Sequence, residues 1–474
     1  SITNADVDDT TGVLITGVTG NFTNSGSISL TGAAPEDGIT PTGDIATGTG
    51  RTGILISGAS PFTGDVSNTG TININGQDSA GIRLANLSTM TGDMAVNGSV
   101  GIYGENSVGV DIAGQVIGNL AFGGAINVTG ENSQAINISG DVDGAVTMTN
   151  VASVSGFVNE GGFTQTTRSN VAGREALEET GNLRQAGPAL QISGNITNGV
   201  HIAESRNEET NVLISTGGIS MFGSAPAVLI DGNGTPIAIG LVGQITDPDD
   251  EDFDENVQYA FVNQGTLTSN GFLDDMNATT FSLTDASLNG GLNNTGLMRS
   301  TVYRSGVDPD ALDPTPDAHA RVIIIGGGGM AERINNAGTI LARGFEASDA
   351  IYADRDAILG ANHIRATAVD ILADGSLPTI RNIGAITAII TGRDGEAVAI
   401  RDASGTLTML NNSAAIGAFG ISSDTLRGET TDFNLIAIDV RANTIGFTLN
   451  QTVYTDPETE VSTTPAIIGD ILLG

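Results

Sequence analysis

The chain has 474 residues, enough for several globular domains. With 66 glycines, no tryptophan, no cysteine and only 4 % aromatics, it lacks the bulk that fills a thick core and the thiols needed for disulfides or thiol chemistry. A formal net charge of −36, from 54 acidic residues against 18 basic ones that are all arginine, repels nucleic acid and anionic membranes and favours solubility and divalent cations.

No run reaches 18 apolar residues, so no membrane-spanning helix is expected. Ser1 is not preceded by a basic, apolar leader, and the sequence reads as a mature form or a fragment. Freedom from cysteine suits a chain that crosses a periplasm unfolded.

Regular patterning begins at residue 11 and runs to 157. Two submotifs alternate. One is small–aliphatic–x–aliphatic, as in Gly53-Ile54-Leu55-Ile56, Gly81-Ile82-Arg83-Leu84, Gly109-Val110-Asp111-Ile112 and Ala135-Ile136-Asn137-Ile138. The other is aliphatic–x–Asn–x–Gly–x–aliphatic, as in Phe22/Asn24/Gly26/Ile28 and Val66/Asn68/Gly70/Ile72. Ile54 to Ile82 is 28 residues, Ile82 to Val110 is 28, and Val110 to Ile136 is 26. A period in this range marks a stacked repeat. Apolar and polar residues alternate within runs of three to five, bounded by Gly, Asn, Asp or Ser, which is the period of a short half-buried strand. Helical repeats lack support in this spacing, and propeller blades need longer copies.

The pattern predicts an all-β parallel β-helix, or β-solenoid. Each 26–28-residue coil carries about three short strands and turns right-handed, giving roughly 17 or 18 coils over a single 1–474 solenoid. Like residues then stack on like. Aliphatics form interior ladders, and the Asn amide reaches the Asn of the next coil while the residue itself tolerates left-handed backbone angles. Gly two positions on allows the bend.

Residues 158–188 break the register. Within them 164–185 concentrate Arg and Glu with helical spacing, and Ser169 or Asn170 is placed to cap a short helix. Irregular coils with acidic insertions follow over 189–330. Ala189-Leu190-Gln191-Ile192 lies 54 residues past its predecessor, which reads as two periods, and Ala227-Val228-Leu229-Ile230 continues the series. The insertion at 246–256 offers Asp247, Asp249, Asp250, Asp252 and Asp254 as hard oxygen ligands for calcium. Asp250, Asp252 and Asp254 match positions 1, 3 and 5 of a calcium loop; Glu255 then stands where Gly is needed and Phe261 where the bidentate Glu belongs. A second acidic loop spans 306–318. Gly326–Gly329 follow an aliphatic strand like a nucleotide-binding turn, but the Asn-Gly submotif at Asn336 and Gly338 interrupts any helix, so they read as a turn between coils. No other cofactor is implied.

Regular coils return over 331–474, with Ile334/Asn336/Gly338/Ile340, Ile380/Asn382/Gly384/Ile386 and Ala397-Val398-Ala399-Ile400. The start and the "AIIGDILLG" finish carry no charged cap, and uncapped strand edges invite pairing with further copies.

The stacked "V-x-N-x-G-x-I" and "S-x-G-I-x-I" copies, as at Val66–Ile72 and Ser79–Leu84, resemble the passenger regions of Gram-negative autotransporters and related surface β-helix proteins. The resemblance is clearest over 11–157 and 331–440. It implies secretion to the outer cell surface and a role as adhesin or surface-layer component. A typical member ends in a membrane barrel, which this sequence does not show.

The expected function is therefore a non-enzymatic extracellular scaffold or adhesin that self-assembles into a filament or surface layer. Its partners are copies of itself or a cell-surface glycan or protein, and calcium offsets self-repulsion. The enzymatic alternative is a polysaccharide lyase or glycoside hydrolase using paired carboxylates, for which Asp111, Asp141, Asp143, Asp370 and Asp439 lie near predicted strands. The histidines His201, His319 and His363 have no metal-ligand spacing, and no G-x-S-x-G turn accompanies them.

Overall fold

The computed structural model describes residues 1–32, 48–156, 185–207, 209–245, 247–248, 250, 253–274, 276–304, 318–346, 364–392, 394–422, 432–455 and 460–474. Among these, every regular element is a strand except a 3-10 turn at Glu255–Val257. The backbone forms two compact units. Of the described residues, those within 1–156, 185–266 and 285–292 make one, and those within 267–284 and 293–474 the other. Each is built of parallel strands stacked coil on coil, and the protein is a parallel β-helix.

In the first unit one coil runs through Val66–Asn68, Thr71–Asn75 and Ala80–Leu84, three strands on three faces. Each pairs in parallel with its counterpart one coil on. Val66 faces Met94, Ile72 faces Val100, and Ile82 faces Val110. The period-2 alternation does what the sequence indicated: Ile72 and Ile74 are buried while Asn73 between them is exposed. Each buried aliphatic contributes about 1.5–3 kcal/mol by leaving water. A short fourth strand, absent from the sequence reading, adds a corner ladder through Phe62–Thr63, Thr89–Thr91 and Gln115–Ile117.

Each of these strands runs into a turn, Thr63-Gly64-Asp65 and Thr91-Gly92-Asp93 of the T-G-D type and then Ile117-Gly118-Asn119. Gly92 has φ +134°, and Gly64 and Gly118 in the adjacent coils are also left-handed. A Cβ on Gly92 would collide with the Gly64 carbonyl oxygen, so conformation and crowding both demand glycine there. The Asn-x-Gly corner works differently from expectation. Asn24, Asn68 and Asn336 are not left-handed; the left-handed side chains are Asp78, Asn106 and Asn132 at another corner. Gly70 is required for space alone, because a Cβ would overlap the Gly26 carbonyl.

Coil length is less uniform than 26–28 residues. Ile136 pairs directly with Leu190, so those 54 residues make one coil with an excursion rather than two periods. Dividing the chain length by 27 therefore overcounts the coils. The proposed short helix and its caps, within 164–184, lie outside the described residues, as do most of the loop 306–318 and His363.

In the second unit strands lengthen to eight or nine residues, as in Leu297–Arg304, Ala385–Gly392 and Asp432–Val440. The interior column Phe281, Ile323, Val369, Ile400 and Ile438 runs in register. The pairing sets Ile400 on Val369 and Asp402 on Ile371, so the stack runs through Ala399-Ile400-Arg401-Asp402, two residues beyond the Ala397–Ile400 reading, with Asp402 in the place of the last aliphatic. Gly326–Gly329 form the turn between strands Ala318–Ile325 and Met330–Ala331, closed by Gly329 N–H donating to Gly326 O at 2.8 Å. Among the described residues no helix is long and apolar enough to cross a membrane.

Candidate functional site

Polar side chains in both units line up into columns, because strands in parallel register put equivalent positions on top of one another. Three columns bond from coil to coil. In the second unit Asn294 Nδ2 donates to Asn336 Oδ1 at 2.8 Å, Asn336 to Asn382 at 2.8 Å, and Asn382 to Asn412 at 2.9 Å, all buried. In the first unit the backbone N–H groups of Arg51, Ser79 and Ser107 donate to the hydroxyls of Ser79, Ser107 and Ser133, each at 3.0 Å. At the T-G-D corner the carboxylate of Asp65 accepts from Asp93 N at 3.0 Å, and that of Asp93 from Asn119 N at 2.7 Å. The serine column was visible in the sequence as a 28- and 26-residue spacing. Arg51 at its end was not, and it is 2 % exposed, donating through Nε to Val7 O at 3.0 Å.

Among the described residues a cluster of charged side chains belongs to the second unit. Asp370, fully buried, receives a forked pair from Arg401, with Nε to Oδ1 at 2.9 Å and Nη2 to Oδ2 at 2.7 Å, and Arg321 Nε stands 3.4 Å from Oδ2. Register explains the arrangement: Asp370, Arg401 and Asp439 occupy one outward position on three successive strands. Asp439 in turn holds Arg441 at 2.9 and 2.7 Å, and that hydrogen bonding keeps its carboxyl below the usual range. Beside them His319 shares a 2.8 Å hydrogen bond through Nε2 with Thr367 Oγ1. Burial pushes the His319 pKa well below its ordinary value, and the charges of Arg321 and Arg401 push the same way. A histidine bonded to a hydroxyl has the form of a base–nucleophile pair, but Thr367 is fully buried and His319 is 3 % exposed, so substrate has no path to either.

The carboxylates considered for sugar cleavage are occupied or apart. Asp111 pairs with Arg83 at 2.9 Å and accepts from Asn137 Nδ2 at 2.9 Å, while Asp141 accepts from Asn195 N and Nδ2, both at 2.9 Å. Arg401 stands between Asp370 and Asp439 in the register. Asp143 is exposed. His201 is half-buried, and desolvation lowers its pKa against the opposing pull of Gln264 and Asp254.

Of the calcium candidates, Asp249 and Asp252 lie outside the described residues. Asp247 O accepts from Asp250 N at 3.1 Å, and Asp254 caps the 3-10 turn, its Oδ1 accepting from Asn256 N at 2.8 Å. Among the described residues no three acidic or histidine side chains converge on a point where a metal ion would sit.

A groove of about 480 Å³ opens on the second unit. Its floor is Arg381, Asn411 and Asn450, in register on Thr379–Asn382, Met409–Asn412 and Thr448–Gln451. One wall is Val453 and Tyr454; the strand Tyr454–Thr455 pairs antiparallel with Ser462–Thr463, where Thr463 Oγ1 donates to Ser413 O at 2.7 Å. The groove could not be foreseen from the residue pattern, since its residues are drawn from coils of different length.

Neither a family model, nor a curated protein, nor a solved structure matches the chain. What it does must be read from its own geometry.

Proposed function

We propose that the protein is a non-enzymatic scaffold and adhesin, displayed on the outer surface of a Gram-negative cell in the manner of an autotransporter passenger. The observation that carries this reading is where the polar groups go. In the Asn294–Asn336–Asn382–Asn412 column and the serine column, side chains that elsewhere line active sites are spent in joining coil to coil. Four of the five candidate carboxylates, Asp111, Asp141, Asp370 and Asp439, are likewise held by Arg83, Asn195, Arg401 and Arg441. A fold stabilised this way is a stiff support for loops, and its excess of carboxylates keeps it soluble outside the cell. Self-association of copies, with calcium offsetting their repulsion, belongs to the same proposal.

Two measurements test it. Antibody labelling of intact cells in the electron microscope is expected to place the chain at the surface; labelling only after lysis overturns the display reading. A polysaccharide panel incubated with purified protein is expected to yield no products. Release of sugar that disappears in Asp141→Asn or Asp439→Asn would show an enzyme instead.

A further inference from the structure

The second unit presents a broad outward face on the strands Leu297–Arg304, Thr339–Glu346, Ala385–Gly392 and Ala415–Ser422, which pair in parallel, coil on coil. Met298, Ser300 and Val302 are buried in the core, so the residues between them point out, and the same alternation holds on the next two strands. The outward side chains include Arg299 and Arg343, which stand on successive coils and diagonal to each other, roughly 8 Å apart at Cα. The chain holds 54 acidic residues, yet among the described residues neither of these arginines has a carboxylate partner. Arg343 Nε is buried with no acceptor. Its guanidinium carbon lies 4.6 Å from the ring centre of Phe345, which stacks on Tyr303 at 5.5 Å. Phe419 and Ile421 continue the face on the last strand, and Ile421 is 49 % exposed. Two neighbouring cations without counter-ions repel each other in the lone chain. Arginine set among tyrosine and phenylalanine is the composition that concentrates at protein–protein contacts.

We infer that this face docks the acidic T-G-D corner of a second copy of the chain, with Arg299 and Arg343 receiving Asp65 and Asp93. The charges are complementary, and so is their spacing. Asp65 and Asp93 are exposed and lie on successive coils of the first unit, as the two arginines do in the second. Both pairs are therefore offset by one coil, about 4.8 Å along the stacking direction. Two copies lying side by side bring both pairs into range together, and the long arginine side chains span the lateral offset. Asp93 meets Asn119 through Oδ1 alone, which leaves Oδ2 to a guanidinium fork. A flexible polyanion offers no such match, and two cations are too few to hold one against a net charge of −36. A second copy is also repelled at long range, but about 0.1 M salt confines that repulsion to about 10 Å while the paired groups meet at contact. The face measures about 14 Å each way, far below the ~800 Å² per partner of a standard interface, so a single contact is weak. Face and corner are different surfaces. Each copy can give its face to one neighbour and its corner to another, and an array grows by repetition.

The inference rests on the self-association reading and names a contact for it that needs no calcium. Sedimentation equilibrium of the full chain, with chelator present and over a range of protein concentrations, measures it. At about 0.1 M sodium chloride the mean mass is expected to rise with concentration. It is expected to fall back at about 0.01 M, where repulsion reaches about 30 Å, and at about 1 M, where the ion pairs are screened. Arg299→Gln combined with Arg343→Gln is expected to weaken association about tenfold. Asp65→Asn combined with Asp93→Asn, which keeps acceptors for the backbone N–H groups, is expected to do the same, and it carries the test if the arginine variant fails to fold. Protein with Arg299→Glu and Arg343→Glu, mixed with protein carrying Asp65→Lys and Asp93→Lys, is expected to regain the association that each lacks alone. Native association left unchanged by either neutral pair, or rising steadily with salt, overturns the inference and leaves the self-association reading standing. Native protein that stays monomeric throughout overturns both.

Discussion

His319 and Asp370 of the second unit both feel the charges of Arg321 and Arg401, and their responses differ in a way that solution measurements can read. His319 is buried against Thr367, and its native pKa is depressed by desolvation and by Arg321 and Arg401. Asp370 is shared by those two arginines, which stand 3.4 and 2.7 Å from its Oδ2. In the unfolded chain the imidazole titrates near its ordinary value of about 6.5. Above that pH both states are neutral at His319 and the group leaves stability unchanged. Below it the unfolded chain takes up a proton that the native state refuses, so stability falls with pH until the native pKa is reached. Urea unfolding at descending pH is expected to show the native protein losing up to about 1.4 kcal/mol per pH unit relative to His319→Gln. His201, also depressed, is common to both proteins and cancels. Parallel profiles would mean that His319 is protonated in the fold. Asp370→Asn should cost ~3 kcal/mol in the same assay, because two partly buried guanidinium groups lose their counter-ion. A loss under about 1 kcal/mol would show the pair to be as weak as a surface one.

At the scale of the strand and its ladder, one position supplies its own internal comparison. Asn24 and Asn68 stack in the first unit with a 2.7 Å bond, and the same register position then passes to Val96, Phe122, Met148 and Ile202. Amide and apolar columns are thus both compatible with the corner, provided neighbours match. A lone replacement inside an amide run is different. Asn336→Val would take the donor from the buried Oδ1 of Asn382 and leave the Nδ2 of Asn294 only its longer bonds to Gly296 O and Thr339 O, at a cost of about 2–3 kcal/mol. Asn24→Val, at a half-buried rung where water can replace the lost bonds to Asn68 and Gly26, should cost about 1 kcal/mol. Chemical denaturation of the two variants checks the order, and equal losses would refute the ladder as a cooperative element. This column also shows how far the sequence could be read. Val-x-Asn-x-Gly-x-Ile announced a corner and an Asn stack, since local spacing sets both. The lengths of the connections between strands were not legible, because an excursion leaves the pairing of the flanking strands intact: Ile136 meets Leu190 as well as it would meet a residue 26 places on. For the same reason Arg381, Asn411, Asn450 and Tyr454 could not be foreseen as neighbours. Their separations of 30, 39 and 4 residues follow no period, and only the pairing of three strands brings them to one groove.

Across the whole molecule the controlling quantity is charge. Stacking makes the repulsion local as well as global: Asp65 and Asp93 hold equivalent positions on successive coils, a spacing of about 4.8 Å, and each is exposed. Backbone N–H groups of the next coil compensate one oxygen of each carboxylate, and Asn119 relieves the column after two charges. Exposed charges of this kind are screened once the Debye length falls from about 30 Å at 0.01 M salt to about 10 Å at 0.1 M. The melting temperature should therefore rise with sodium chloride over that range. Asp65→Asn combined with Asp93→Asn should raise it by about 1–2 °C at low salt and by less at high salt. The calcium proposal makes a stronger demand. If calcium joins copies through their acidic faces, calcium chloride must raise the mass seen by light scattering beyond what sodium chloride does at matched ionic strength, and a chelator must reverse the growth. Screening alone predicts coincident curves for the two salts. Coincidence would leave the fold and its ladders untouched and remove calcium from the account of how copies meet.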